Sequence, residues 1–147
     1  MSNRGDPAVE HRDVVLVTGP RLAGATGLAA ALRDRLPGRT VVESAELRPG
    51  EAPVAVVFVV SATAPLTPSD CALLDGAAAA TDLVIGVVAK TDVHRTWRRV
   101  LQANRAVVAA HRPRYAAMRW VGAAAAPDIG PPTVAPLIEV VCTGLAD

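Results

Sequence analysis

An unbroken apolar run, Val54-Ala-Val-Val-Phe-Val-Val60, limits the folds open to this chain more than any other segment. Continuous rather than alternating hydrophobicity is typical of a strand with both faces covered, as in the centre of a parallel sheet. Two further apolar runs, Val14–Thr18 and Leu83–Val88, have the same character. The three runs together predict a parallel sheet that is covered by helices on both faces.

Segments with helical signals separate these runs. Residues Thr26 to Leu36 carry apolar side chains at helical spacing, and Pro37-Gly38 stops the pattern. A second helix is predicted to run to about Ala80, with Thr67 as its N-terminal cap and Pro68 at its first position.

The longest helix is predicted from Val93 to His111, with an apolar inner face and a basic outer face. Its inner face is expected to carry Trp97, Val100, Leu101, Asn104, Val107 and Val108. We interpret the arginines on its outer face as solvated surface.

Two weaker strands, Thr40–Leu47 and Met118–Val121, and a closing helix near Cys142 complete the pattern. The alternation predicts an α/β fold, a doubly wound and mostly parallel sheet of five strands. An order 2-1-3-4-5 would place the first strand between the second and the third, but the order around the second strand stays open. The link between the second and third strands, Arg48–Pro53, is too short for a crossover helix. Those two strands are therefore either not neighbours or antiparallel.

Length and composition indicate one domain at residues 13–147, after a disordered tail at residues 1–12. A chain of 147 residues can bury most of the surface that its unfolded form exposes. Because 51% of the residues are hydrophobic but only 3% are aromatic, the core must consist mainly of Val, Leu and Ala.

Charge and the lack of targeting signals narrow the expected partners. A net charge of +1 gives no general attraction to nucleic acid or membranes. No apolar run is long enough to span a bilayer, and the polar start is unlike a signal peptide. Cys71 and Cys142 lack metal-binding spacing and are interpreted as two buried thiols. We therefore expect a cytoplasmic protein without a nucleic-acid partner.

Two segments that follow predicted strands point to a ligand site. Gly19-Pro-Arg-Leu-Ala-Gly24-Ala25-Thr26 has the spacing of a phosphate-binding loop, although Ala25 stands where that loop has a lysine. Ala89-Lys90-Thr91-Asp92 follows another strand and holds the chain's only lysine, beside fourteen arginines. This second segment resembles the [Asn/Thr]-Lys-x-Asp motif by which P-loop GTPases recognise guanine. The order of segments from Val14 to Ala125 is similar to that of bacterial dynamin-like and Era-like GTPases.

The resemblance implies a reduced Ras-like G domain with a site for GDP or GTP and Mg²⁺. In such a domain Thr26 would also ligate the Mg²⁺, and the Asp92 carboxylate would accept hydrogen bonds from guanine. The implied nucleotide-binding residues are Gly19, Arg21, Gly24, Ala25, Thr26, Lys90 and Asp92.

Departures from the family pattern predict that the site has no catalytic residues. Ala25 removes the main cationic clamp on the phosphates. The Asp-x-x-Gly motif that senses the γ-phosphate has no counterpart between Leu36 and Val54, where Glu46-Leu-Arg-Pro-Gly50 is at most a remnant. Gly122-Ala-Ala replaces the Ser-Ala-Lys that backs the guanine.

Structural interpretations stay open beside these. Gly19 and Gly24 could form only a strand-to-helix turn, Thr26 could cap the first helix, and Asp92 could cap the helix that starts at Val93.

The sequence is compatible with three hypotheses about function. The first is an inactive GTPase-like partner of an intact dynamin-like GTPase or of a second copy, reaching membranes only through that partner. The second is a weak guanine-nucleotide binder. The third is a doubly wound domain that binds another ligand, such as a flavin, at the same strand ends.

Overall fold

Five parallel strands form the centre of the molecule. The computed structural model describes residues 10–11, 14–20, 23–36, 38–43, 51–61, 66–79, 81, 83–89, 96–124 and 134–146. The main strands are β2 (Val14–Thr18), β3 (Thr40–Glu43), β5 (Ala55–Ser61), β6 (Val84–Ala89) and β7 (Arg119–Gly122). They pair in the order β3-β2-β5-β6-β7, and every pair is parallel.

Within the described residues, four helices cover the sheet, two on each face. They are α1 (Ala25–Arg35), α2 (Pro68–Ala77), α3 (Trp97–His111) and α4 (Ala135–Ala146), and a 3₁₀ turn (Pro113–Tyr115) follows α3. Side chains of α1 and α4 share one core cluster, and side chains of α2 and α3 share the other. None of the helices in the described ranges is long and apolar enough to cross a membrane.

The predicted central strand is central, and its composition explains why. Every residue of β5 from Ala55 to Val60 is buried. Val57 and Val59 face α1 and α4, whereas Val56 and Phe58 face α2 and α3. Since successive side chains of a strand point to opposite faces, a strand covered on both sides must be apolar throughout.

The parallel five-stranded α/β fold is confirmed, and the order around the second strand, which the sequence left open, is now defined. β2 lies between β3 and β5, so the short link joins strands that are not neighbours. Two residues of that connection, β4 (Glu51–Ala52), pair in parallel with β1 (Glu10–His11). Glu10 and His11 thus form a strand where the sequence predicted tail.

Several predicted boundaries and burials need correction. β3 ends at Glu43, and the rest of the strand predicted to Leu47 lies outside the described residues. Val107 is 41% exposed instead of buried, because it lies about 100° around α3 from Val108, which fills the packed stripe. Cys142 is exposed for the same reason, one residue beyond buried Val141 on α4, whereas Cys71 is buried as predicted.

The start of α2 is as predicted. The Thr67 hydroxyl accepts a 3.2 Å hydrogen bond from the Asp70 backbone N–H, and the Asp70 carboxylate accepts one of 2.9 Å from the Thr67 N–H. Pro68 occupies the first turn. This reciprocal pair satisfies two backbone donors that the first helical turn leaves without partners.

A polar cluster joins α2 to the end of α3. Tyr115 donates its hydroxyl to Asp75 Oδ1 at 2.7 Å, while His111 Nε2 and Arg112 Nε lie 2.7 Å and 3.0 Å from Oδ2. Partial burial alone would raise the pKa of Asp75, but the hydrogen bonds from Tyr115, His111 and Arg112 outweigh it and lower that pKa to about 2. Burial and the bond to Asp75 raise the pKa of Tyr115 to about 12.

We expect Asp75→Asn to lower the free energy of unfolding near pH 7 by about 1–2 kcal/mol, because the charge-assisted bonds are lost. The folded-state pKa of Asp75 lies below its ordinary value of 3.8, so its stabilisation is present above pH 4 and is lost as the pH falls toward 2. Urea denaturation of wild type and variant should therefore converge at low pH. Asp34→Asn, at an exposed position on α1, is the matched control, and a pH-independent difference between wild type and Asp75→Asn would contradict the assignment.

Candidate functional site

The candidate site lies at the carboxyl edge of the sheet. β2 has β3 as its neighbour on one side and β5 on the other, so the direction of strand addition reverses at β2. Open α/β sheets bind ligands in the crevice at such a reversal, outside the carboxyl ends of the strands. The turn from Gly19 to Gly24, which carries the phosphate-loop spacing, begins at this point and leads into α1.

Gly24 has a backbone conformation that favours glycine. It precedes α1 with φ 104° and ψ 17°, in the left-handed region that side chains disfavour. A Cβ at Gly24 would lie 3.5 Å from the Ala89 methyl group at the carboxyl end of β6. The loop therefore abuts the strand that leads into Lys90 and Asp92, although these two residues, like Arg21, lie outside the described residues.

Packing against β5 explains why position 19 is a glycine. A Cβ at this position would lie 2.1 Å from the carbonyl oxygen of Val59, which belongs to the neighbouring strand β5. Backbone of a central strand cannot move away, so only glycine fits. The interpretation of this glycine as part of a strand-to-helix turn is thus supported without any ligand.

Thr26 does not cap the first helix. Gly24 is the N-cap of α1, where no side-chain cap hydrogen bond is made, and Thr26 lies in the first turn. Its hydroxyl instead donates a 2.7 Å hydrogen bond to Oε1 of Glu43, at the carboxyl end of β3. The capping interpretation of Thr26 is therefore wrong, and its hydroxyl is directed toward the edge of the sheet.

Glu43 is the site residue that sequence reasoning missed. P-loop NTPases hold Mg²⁺ with the Ser/Thr of the loop and with an acid from a second strand, and Glu43 stands beside Thr26 in that relation. The position three residues later is Glu46 rather than glycine, so the Asp-x-x-Gly pattern is not restored. The sequence did contain a signal for Glu43, an acidic residue directly after Val41-Val42. Because the strand was predicted to run to Leu47, Glu43 was assigned to the interior of that strand.

The donor chemistry of this pair fits a magnesium ion bound together with a nucleotide. One hydroxyl and one carboxylate are oxygen ligands of the kind Mg²⁺ takes when substrate phosphates supply further ligands. No group of three or more His, Cys, Asp or Glu side chains in the described part of the chain could hold a metal by itself. Thr26 and Glu43 would therefore need phosphate oxygens or water to complete the coordination.

Ala25 lies at the boundary between site and core. It is half-buried and packs against the core cluster of α1 and α4. With alanine here, the position supplies no charge to the turn.

Comparison with solved structures supports the assignment of the fold. The backbone is similar to that of translation elongation factor SelB from Methanococcus maripaludis in its apo form, with a TM-score of 0.69 and 13% sequence identity. The similarity covers 95% of this chain and 34% of the SelB chain, so the chain spans about a third of that structure's length. The sequence matches no protein-family model, and no curated protein gives a significant match. The similarity confirms an α/β fold consistent with a reduced G domain.

We expect Gly19→Ala to destabilise the domain by about 3 kcal/mol, because the new methyl group collides with the fixed Val59 carbonyl. Gly27→Ala is the matched control: Gly27 lies in the first turn of α1 with no atom within 4 Å of an added Cβ. This control should be stabilised by about 0.5–1 kcal/mol, since alanine favours a helix over glycine. Equal effects of the two changes on chemical denaturation would show that the close approach to β5 is not needed.

Proposed function

We propose that this domain is a pseudo-GTPase, a GTPase-like domain without catalytic activity that acts by binding another protein. The single observation that supports it best is the composition of the carboxyl edge. Gly24 retains the left-handed turn and Thr26 retains its hydroxyl beside Glu43, but position 25 carries alanine instead of the cationic clamp. These features support a site that has the frame for a nucleotide but lacks the group that neutralises the phosphates.

Physical arguments support the loss of hydrolysis. Phosphoryl transfer depends almost entirely on positioning and on stabilising the charge that develops on the γ-phosphate. Removing a charged contact from such a site costs several kcal/mol of transition-state stabilisation. Arg21 is the nearest cation in sequence, but a guanidinium four residues before the first residue of the helix has a different reach from a lysine on its first turn.

The proposed partner is an intact dynamin-like GTPase or a second copy of this chain. This part of the proposal rests on the sequence resemblance, which runs from Val14 to Ala125. A domain that keeps the outer surfaces of its family can still occupy the place of a G domain in a complex. Any association with a membrane would then be peripheral and would go through the partner.

The Thr26–Glu43 contact favours a second candidate, weak binding of a guanine nucleotide. A hydroxyl and a carboxylate directed at one point are of use to an Mg²⁺-bound nucleotide and of little use to the core, because the pair is exposed. GDP or GTP would then lie along Gly19, Arg21, Gly24, Ala25 and Thr26, with Lys90 and Asp92 at the base.

We expect purified protein to release no phosphate from Mg²⁺-GTP or Mg²⁺-ATP above the buffer control, because neither the lysine nor the γ-phosphate sensor is present. A phosphate-release assay under excess nucleotide measures this directly. Turnover on the order of 1 s⁻¹, within the ordinary range of enzymes, would refute the assignment as a pseudo-GTPase.

We expect Ala25→Lys to raise GDP affinity about tenfold to a hundredfold in the presence of Mg²⁺, because one charge-assisted phosphate contact is regained. Calorimetric titration measures the gain. Ala30→Lys adds the same charge at an exposed position of α1 and should change nothing. The gain should disappear in the double variant with Asp92→Ala and should not extend to ATP.

Two outcomes of that titration decide against retained binding. A folded Ala25→Lys variant with unchanged affinity would show that the turn no longer forms a phosphate site. A variant that unfolds would show that the packing of Ala25 against the core excludes a longer side chain. Either result would argue against nucleotide binding and leave protein interaction as the proposed role.

A further inference from the structure

A cleft of about 360 Å³ opens at the amino edge of the sheet, opposite the candidate nucleotide site. It lies between the first residues of β6 and β7, the 3₁₀ turn and the second half of α4. Its volume is within the range of small-molecule sites, about 300–1,000 Å³. The proposed function involves none of the residues that line this cleft.

Two fixed side chains form one wall. Arg114 donates through Nη2 to the carbonyl oxygens of Ala78 and Thr81, at 3.3 Å and 2.8 Å, and its guanidinium carbon lies 5.2 Å from the centre of the Tyr115 ring. Tyr115 is itself held through its hydroxyl by Asp75. Because both side chains are already ordered, a ligand that touches this wall loses little affinity to side-chain ordering.

A second arginine faces the same cleft from β7. Arg119 is exposed at the start of this edge strand, and no carboxylate of the described residues lies within ion-pair distance of it. The described lining contains two arginines and no acidic side chain. Two guanidinium groups that line one concave site can together contact a bound oxyanion.

The floor of the cleft is apolar. Leu83 and Val140 are only partly buried although they pack against the α1–α4 core cluster, and Ile85 lies behind them. Gly144 lets α4 approach this floor, since a Cβ there would lie 2.7 Å from Leu83 Cδ1. Hydrocarbon surface is thus left next to two cationic groups.

We propose that this cleft binds a small amphiphilic anion. A carboxylate or phosphate head would contact Arg119 and Arg114, and a short hydrocarbon chain would cover Leu83 and Val140. Two-pronged recognition of oxyanions is the usual role of guanidinium groups, and burial of the chain adds the hydrophobic contribution. The proposal is independent of the proposed function, because the two sites lie at opposite edges of the sheet.

The test is a titration of ¹⁵N-labelled protein with sodium octanoate, followed by amide NMR shifts. We expect saturable shifts around residues 83–85, 114–119 and 140–144, with a Kd on the order of 1 mM, as befits a ligand of ten heavy atoms. Octyl phosphate should bind as well, and the tighter of the two identifies the preferred head group. Acetate, which lacks the chain, and octylamine, which has the opposite charge, should each bind at least tenfold more weakly.

Variants make the assignment specific. Arg119→Ala should weaken octanoate binding about fivefold to tenfold, while Arg105→Ala, at an exposed position of α3 outside the cleft, should leave it unchanged. Thr143→Trp fills the cleft from the exposed side of α4 and should abolish binding. The NMR spectrum of each variant also reports whether it is folded. Absence of saturable shifts in the wild type, or equal binding by wild type and Thr143→Trp, would overturn the proposal.

Discussion

The contact between Gly19 and the Val59 carbonyl determines the geometry of the carboxyl edge. β2 and β5 pair in parallel from Val15 to Thr18, and the turn after β2 continues along β5 with no room for a side chain. The chain therefore leaves the sheet close to its centre and enters α1 through the left-handed Gly24. This path places the first turn of α1 beside the end of β3, where Thr26 meets Glu43. A backbone constraint in the middle of the sheet thus positions the polar groups at its edge.

The carboxyl edge differs in charge from the phosphate loop that its spacing resembles. Glu43 places a carboxylate beside Thr26, and alanine stands where that loop has a lysine. A carboxylate repels a phosphate unless a divalent cation lies between them. Backbone N–H groups at the start of a helix still favour anions, but their partial charges are smaller than that of a lysine. Nucleotide binding at this edge would consequently depend on Mg²⁺ more strongly than it does in a site with the lysine.

The sequence was sufficient for features that depend on neighbouring residues or on overall pattern. Continuous hydrophobicity located β5, and Thr67-Pro68 located the start of α2, because strand burial and helix capping are local effects. The ends of strands and the exact buried face of each helix were harder to predict from the sequence. Because the second strand was predicted to run to Leu47, Glu43 was not recognised as its last residue. Val107 and Cys142 were predicted to be buried, but each lies one residue away from the buried face of its helix. The Asp75 cluster joins residues 36 to 40 positions apart, so its existence depends on how α2 and α3 pack and cannot be read from spacing.

The core of this domain is separate from the polar groups at the carboxyl edge of its sheet. The buried side chains of β5 and β6 alternate between two apolar layers, and none of them reaches the carboxyl edge as a polar group. The candidate ligand groups instead lie on the turn before α1 and at the end of β3, where solvent is close. Alanine at position 25 lies at this edge, and its methyl group packs against the α1–α4 cluster. The packing of the core therefore needs no cation at position 25.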